Sequence, residues 1–193
     1  MIEERSMNIL CYRYGSIVEP DIIDGFKELG NQVSEICLEI YNKNTTPLEG
    51  LTALKDELMR HSYDFVFSIN FYPFIAEVCN IFQIRYLCLT VDAPVLELFS
   101  NSIQLPWNRI FLFDRAQYED FHPLNPECIF HLPLAGNPAR YAPVIQNATP
   151  DLIRKYSADI SFVGSLYTEK CPYDRLQTED AYLKGYLEGI MDA

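Results

Sequence analysis

The sequence predicts an α/β domain on a Rossmann-like, doubly wound, mostly parallel sheet, and three observations predict it. Strand-sized apolar runs alternate with segments of helical period, the rhythm of βαβ units. The runs in DFVFSINFYP, RYLCLTVDAP and RIFLFDR are nearly continuous in Val, Ile, Leu and Phe. Strands covered on both faces read this way, whereas a half-solvated strand alternates. Each run also stops at a small or polar side chain, where an open sheet gathers its ligand-facing groups outside the carboxyl ends of the strands. Asn70, Asp92, Asp114, Asn137 and Ser165 form the resulting site map.

In chain order, strands are expected at Asn8 to Arg13, Gln32 to Ile40, Asp64 to Ile69, Arg85 to Val91, Arg109 to Phe113, Glu127 to Leu134 and Asp159 to Gly164. A helix over Asp21 to Leu29 carries Ile22, Ile23, Phe26 and Leu29 on one face, with Pro20 before it and Gly30 after it. Leu51 to His61 repeats Leu51, Leu54 and Leu58 at helical spacing, and Phe74 to Phe82 reads as a third, more apolar helix. Shorter helices are expected at Val95 to Phe99, Ala116 to Phe121 and Asp151 to Tyr156.

From Ala135 to Ala158 the composition turns to Pro, Asn and Ala, as a surface connection does. The expected organisation is a Rossmann-like domain over 1–140, a linker over 141–158, and over 159–193 the start of a truncated second α/β lobe or a docking tail. In that tail Tyr182, Leu183, Tyr186, Leu187 and Ile190 share one helix face. A bare strand edge and a bare apolar helix face both seek cover, so self-association through the tail, giving a homodimer, is an expectation.

Composition bounds the function. The chain is 49% hydrophobic and 22% charged, which places it among globular rather than disordered sequences. Its net charge of −12 and lack of a basic stripe argue against nucleic acid, whose phosphates need Lys and Arg partners. No run is long enough to span a membrane, and MIEERSMNIL has acidic residues where a secretory leader needs basic ones, so a cytoplasmic location is expected. The cysteines Cys11, Cys37, Cys79, Cys88, Cys128 and Cys171 show no metal-ligand spacing, and Cys11, Cys37, Cys88 and Cys128 fall inside expected strands as small buried hydrophobes. The Asn-x-Thr triplets at Asn44 and Asn147 carry no weight in a cytoplasmic chain.

The absent motifs narrow the field further. G-x-G-x-x-G, the P-loop, the nucleophile elbow and the histidine-pair metal motif are all missing, so neither cofactor nor metal is expected. Among the three histidines, His131 alternates with apolar residues and reads as core or hydrogen-bonded, while His122 reads as a solvated loop residue. A phosphoacceptor receiver domain is excluded because its acidic cluster and its third-strand Asp are replaced by Cys11-Tyr12-Arg13-Tyr14 and Ser68-Ile69-Asn70.

The segments NFYPFIAEVC, YLCLTVDAP, IFLFDR, HLPLAGNPARY and DISFVGSLY, in this order and spacing, resemble the amino-terminal domain of spore-maturation-protein-like (CgeB-like) glycosyltransferases. The likeness spans Asp64 to Tyr167; Thr90 and Ala93 depart from the family's usual aromatic residue and serine. The resemblance implies the amino-terminal lobe of a GT-B type enzyme, binding a sugar or glycan acceptor. The nucleotide-sugar donor would belong to a carboxyl-terminal lobe, of which Gly164 and Ser165 would be the opening turn. A fragment holding only the acceptor lobe would not turn over alone.

On the residues themselves, Asp92 and Asp114 are the general-base candidates, since both follow strands into the crevice. Each also suits a helix cap or turn, and for Asp114 before Arg115-Ala116 the cap is the better fit. Asn70 and Phe71 are expected to hydrogen-bond and stack the acceptor, or else to begin a helix. Tyr14, Gly15 and Ser16 are expected to offer backbone N–H groups to it, because Gly allows close approach. The alternative reading is a non-catalytic α/β ligand-binding or protein-interaction module, because a fold alone does not fix a function.

Overall fold

The computed structural model describes residues 5–164 and 180–191. It contains β1 (Asn8–Tyr12), α1 (Glu19–Glu28), β2 (Gln32–Ile36), α2 (Leu38–Tyr41), α3 (Pro47–Arg60), β3 (Phe65–Ile69), α4 (Pro73–Phe82), β4 (Arg85–Leu89), β5 (Asn108–Leu112), α5 (Arg115–Phe121) and β6 (Ile129–His131). They are followed by α6 (Pro138–Gln146), α7 (Pro150–Tyr156) and α8 (Ala181–Met191). Every strand pair is parallel, and the order β2-β1-β3-β4-β5-β6 makes one six-stranded sheet. The chain is thus α/β with a Rossmann-like, doubly wound sheet.

The winding follows from the strand order. The chain leaves β1 for β2 on one side, then crosses back to β3 and proceeds steadily outward to β6. With right-handed crossovers this puts α1 alone on one face and α3, α4 and α5 on the other. The packing agrees: Ile9, Cys11, Phe65, Phe67 and Ile69 meet Ile23 of α1. Leu10, Tyr12, Val66, Tyr86, Ile110 and Leu112 meet Leu54 of α3, Ile75 and Cys79 of α4, and Phe121 of α5. All five residues of β3 are buried, which is why its sequence shows no alternation.

Helix starts are explicit in the residues. Thr46 and Glu49 form a reciprocal capping box at α3: the Glu49 amide donates to the Thr46 hydroxyl, and the Glu49 carboxylate accepts from the Thr46 amide at 2.7 Å. Proline stands in the first turn of α1, α3, α4 and α7, where its missing N–H costs nothing.

Several expectations are corrected. The strand expected to continue to Ile40 ends at Ile36, and α2 begins at Leu38, so Cys37 lies at a helix start rather than in a strand. The strand expected over Glu127 to Leu134 shrinks to Ile129–His131, leaving Cys128 just before it. The connection after Ala135 contains α6, which the Pro and Asn content concealed. Asp159 to Gly164 is irregular: a strand exists only as a hydrogen-bonded pair, and this segment pairs with none among the described residues. His122 is half-buried, its Nδ1 3.0 Å from the Ile129 carbonyl, and His131 is exposed with its Nε2 3.2 Å from the Phe113 carbonyl.

The chain separates into two compact units, 1–141 and 142–193. The first holds the whole sheet; the second holds the end of α6, α7 and α8. No helix among the described residues is long and apolar enough to cross a membrane.

Burial pushes the Cys11 thiol from 9.0 up to about 12, helped by the Glu35 carboxylate, and burial also pushes Cys79 and Cys88 up. In the unfolded chain these thiols shed protons near their ordinary values. Above that pH the unfolded state therefore binds fewer protons than the native state, and stability falls as pH rises. Urea titrations across pH are expected to show this contribution intact below pH 9.0 and progressively lost towards about 12. A flat profile across that window would contradict the burial.

Candidate functional site

The strand order reverses direction between β1 and β3, and in open α/β sheets ligands bind outside the carboxyl ends at such a switch point. Here β1 runs into Arg13-Tyr14-Gly15-Ser16, β3 into Asn70-Phe71-Tyr72 and β4 into Thr90-Val91-Asp92.

Asn70 ties the three ends together. Its backbone has a positive φ of 58°, a conformation that Asn tolerates better than most residues. From there its Nδ2 donates to Asp92 Oδ2 at 2.7 Å and to the Tyr14 hydroxyl at 3.3 Å, while its Oδ1 accepts from the Val91 amide at 3.0 Å. Its own amide donates to the Leu89 carbonyl at 2.9 Å. A row of Tyr14 hydroxyl, Asn70 amide and Asp92 carboxylate thus crosses the mouth of the crevice.

The turn is held from below by Tyr86, which is fully buried. Its hydroxyl lies 2.6 Å from the Ser68 hydroxyl and accepts from the Tyr72 amide at 2.9 Å. Phe71 points into the core against the Tyr86 ring, with centroids 5.8 Å apart and only 1% of its surface exposed. The stacking role expected for Phe71 is therefore corrected, because a ring sealed in the core has no face to offer an acceptor.

Aromatic surface at the crevice comes instead from Tyr14 and Tyr72, both half-buried, whose centroids are 6.3 Å apart. Tyr72 packs on Tyr12 and Phe74. Burial raises the Tyr14 hydroxyl above its ordinary value, and the Asp92 and Glu19 carboxylates add to the rise; burial likewise raises Tyr72. Both remain hydrogen-bond donors through the neutral range.

Of the backbone N–H groups expected to face a ligand, those of Tyr14 and Gly15 are already engaged. Glu19, only 3% exposed, accepts from the Tyr14 amide at 3.0 Å and from the Gly15 amide at 3.2 Å. Its other partner is Arg13 Nε at 3.1 Å, and Arg13 also pairs with Glu35. Gly15 needs its freedom here: its φ is +95°, and a Cβ would come within 3.2 Å of Lys43 Nζ. Lys43 donates to the Tyr14 carbonyl at 2.7 Å and closes the turn from the solvent side. Ser16 stays at the rim, its carbonyl accepting from the Glu19 amide at 3.2 Å.

Asp114 caps α5, its Oδ1 accepting from the Gln117 amide at 2.8 Å, so the candidate base is committed to the helix-capping role. Asn137 also stands apart: its Nδ2 donates to Asp21 at 2.9 Å, where Arg140 joins at 2.8 Å, strapping the segment after β6 to α1. These two contacts, Asn137 first, hold the Asp21 carboxyl below its usual range. Gly164 lies in the irregular segment of the second unit, and Ser165 lies outside the described residues. Among the described residues no group of three or more His, Cys, Asp and Glu could hold a metal.

Other hollows lie away from the crevice. An apolar groove of about 660 Å³ runs between α1 and the sheet, with Phe26, Leu87, Leu89 and Phe111 in its walls. A polar cleft of about 400 Å³ opens at the amino ends of the strands beside Asp64 and Trp107. Compared with known proteins, the chain has no significant match to a family model or to a curated protein.

Sequence reasoning missed Glu19, Lys43, Tyr72 and Tyr86. Only Glu19 left a usable signal, an acidic residue at a helix start four positions after the turn glycine. The brace assigned to Asn70 predicts that Asn70→Ala lowers stability by about 1–3 kcal/mol, since its partners lose a shared donor and acceptor. Asp114→Ala, which removes one cap, is expected to cost about 1 kcal/mol. Urea unfolding of the two variants measures both, and a neutral Asn70→Ala would contradict the brace.

Proposed function

We propose that this chain supplies the acceptor-binding lobe of a GT-B type glycosyltransferase and that the β1/β3 crevice holds a sugar or glycan acceptor. The supporting observation is the pairing of half-buried tyrosine rings with an amide and a carboxylate in one row. Sugar rings present C–H faces that pack on aromatics and hydroxyls that both donate and accept, and this row answers both features.

Each residue has a role in the proposal. Tyr14 and Tyr72 pack against the ring, and Asn70 fixes the register of the hydroxyls. Asp92 is the carboxylate assigned to accept a proton from the attacking hydroxyl; it is exposed and holds its Asn70 contact through one oxygen, leaving lone pairs for a ligand. As that proton leaves, the acceptor oxygen bonds to the anomeric carbon, and the nucleoside diphosphate departs with the electrons of the broken glycosyl bond. The nucleotide-sugar is bound by the partner lobe in this scheme. A second reading, a non-catalytic ligand-binding or interaction module, is favoured by the apolar groove beside α1, whose Leu87, Leu89 and Phe111 are only half covered.

Calorimetric titration with a panel of neutral oligosaccharides tests the first reading. Asp92→Asn is expected to weaken the best binder by about tenfold, the loss of one charge-assisted hydrogen bond, with the unfolding midpoint nearly unchanged. Equal affinity in wild type and variant would remove Asp92 from the site.

A further inference from the structure

The first βα turn of a doubly wound fold is where ligand phosphates commonly sit, because its amides and the start of the following helix together favour an anion. In this chain that place is taken by the protein itself. Glu19 opens α1 and turns back under the β1 end, where its two oxygens receive the Tyr14 amide, the Gly15 amide and Arg13 Nε. The carboxylate is 3% exposed. It therefore meets the donors that a phosphate would need, with an anion's charge, from a position solvent scarcely reaches.

We propose that Glu19 is a built-in anion occupying the phosphate position, so that the crevice admits neutral, hydroxyl-bearing acceptors and rejects phosphorylated ones. The assignment rests on the acceptor-site reading for the nature of the ligand, but the occupied turn is a property of the fold whatever the ligand is. Two forces act against an incoming phosphate. The amides are already hydrogen-bonded, and expelling Glu19 would strand its carboxylate while removing a partner from Arg13. Phosphate would also face the like charges of Glu19, Glu35 and Asp92, while Arg13 is already paired with Glu19 and Glu35 and Lys43 Nζ is held by the Tyr14 carbonyl. A buried unpaired charge is costly, so displacement is unfavourable even at high phosphate concentration.

The test uses inorganic phosphate on the full chain, read by the amide resonances of Tyr14 and Gly15 and by a thermal shift. In wild type, both resonances are expected to stay in place through millimolar phosphate. Glu19→Ala, which frees the two amides and Arg13 Nε, is expected to bind phosphate at least about tenfold more tightly, with the Tyr14 and Gly15 resonances moving. Movement of those resonances in wild type would overturn the proposal, as would a folded Glu19→Ala protein that leaves them unmoved. Should Glu19→Ala fail to fold, the wild-type titration alone decides. A neutral oligosaccharide titrated in parallel separates the two ideas: its failure to bind overturns the acceptor reading and leaves the occupied turn standing, whereas phosphate binding at Gly15 does the reverse.

Discussion

The crevice depends on the Asn70 turn. A parallel sheet gives each interior strand two neighbours but leaves the loops beyond its carboxyl edge free to splay, and a site built from three loops needs something to hold them in register. Asn70 does this through one side chain, reaching the β1 loop at Tyr14 and the β4 loop at Val91 and Asp92. It can do so only from the left-handed backbone conformation at φ 58°, which turns its side chain back across the sheet edge. That conformation costs a non-glycine residue about 1–2 kcal/mol. The fully buried Tyr86 beneath it offsets the cost by accepting from the Tyr72 amide through its hydroxyl.

The same edge shows how charge is distributed at the site. The chain is acidic overall, yet the buried carboxylate of the crevice region, Glu19, is enclosed by donors, while Asp92 faces solvent. The two acids therefore play different parts. Glu19 completes the β1 turn and holds Arg13 in place, and Asp92 retains capacity to interact with something from outside. Asp114 resembles Asp92 in sequence, following the next strand by the same logic, but its amide partner in α5 takes it out of play.

Legibility in the sequence followed the range of the forces involved. The buried strands were readable because burial on both faces leaves a local, contiguous record, as in Phe65–Ile69. The helices α1, α3 and α4 were readable from period, and α1 also from its proline, although α3 begins at Pro47 rather than at Leu51. What the sequence hid were features set by distant partners. Cys37 leaves its strand early because the sheet ends there, and Asp159 to Gly164 has strand composition but pairs with no strand among the described residues. At the site, Asn70 and Asp92 could be singled out by position, but the bond between them joins residues far apart in the chain. Phe71 looked like a binding residue because it adjoins Asn70; the turn that sends Asn70 outward sends Phe71 inward. Tyr86 had no local signal, since a tyrosine in a buried strand reads as one more apolar residue until its hydroxyl finds Ser68 and Tyr72.

Under the proposed function, the ligand sits at the β1/β3 switch point and not in the apolar groove beside α1. Mapping amide chemical shifts while a neutral oligosaccharide is titrated into the protein tests it most directly. The largest changes are expected on Gly15, Ser16, Asn70, Tyr72 and Asp92. Changes concentrated at Phe26, Leu89 and Phe111, with the Asn70 turn unmoved, would contradict it.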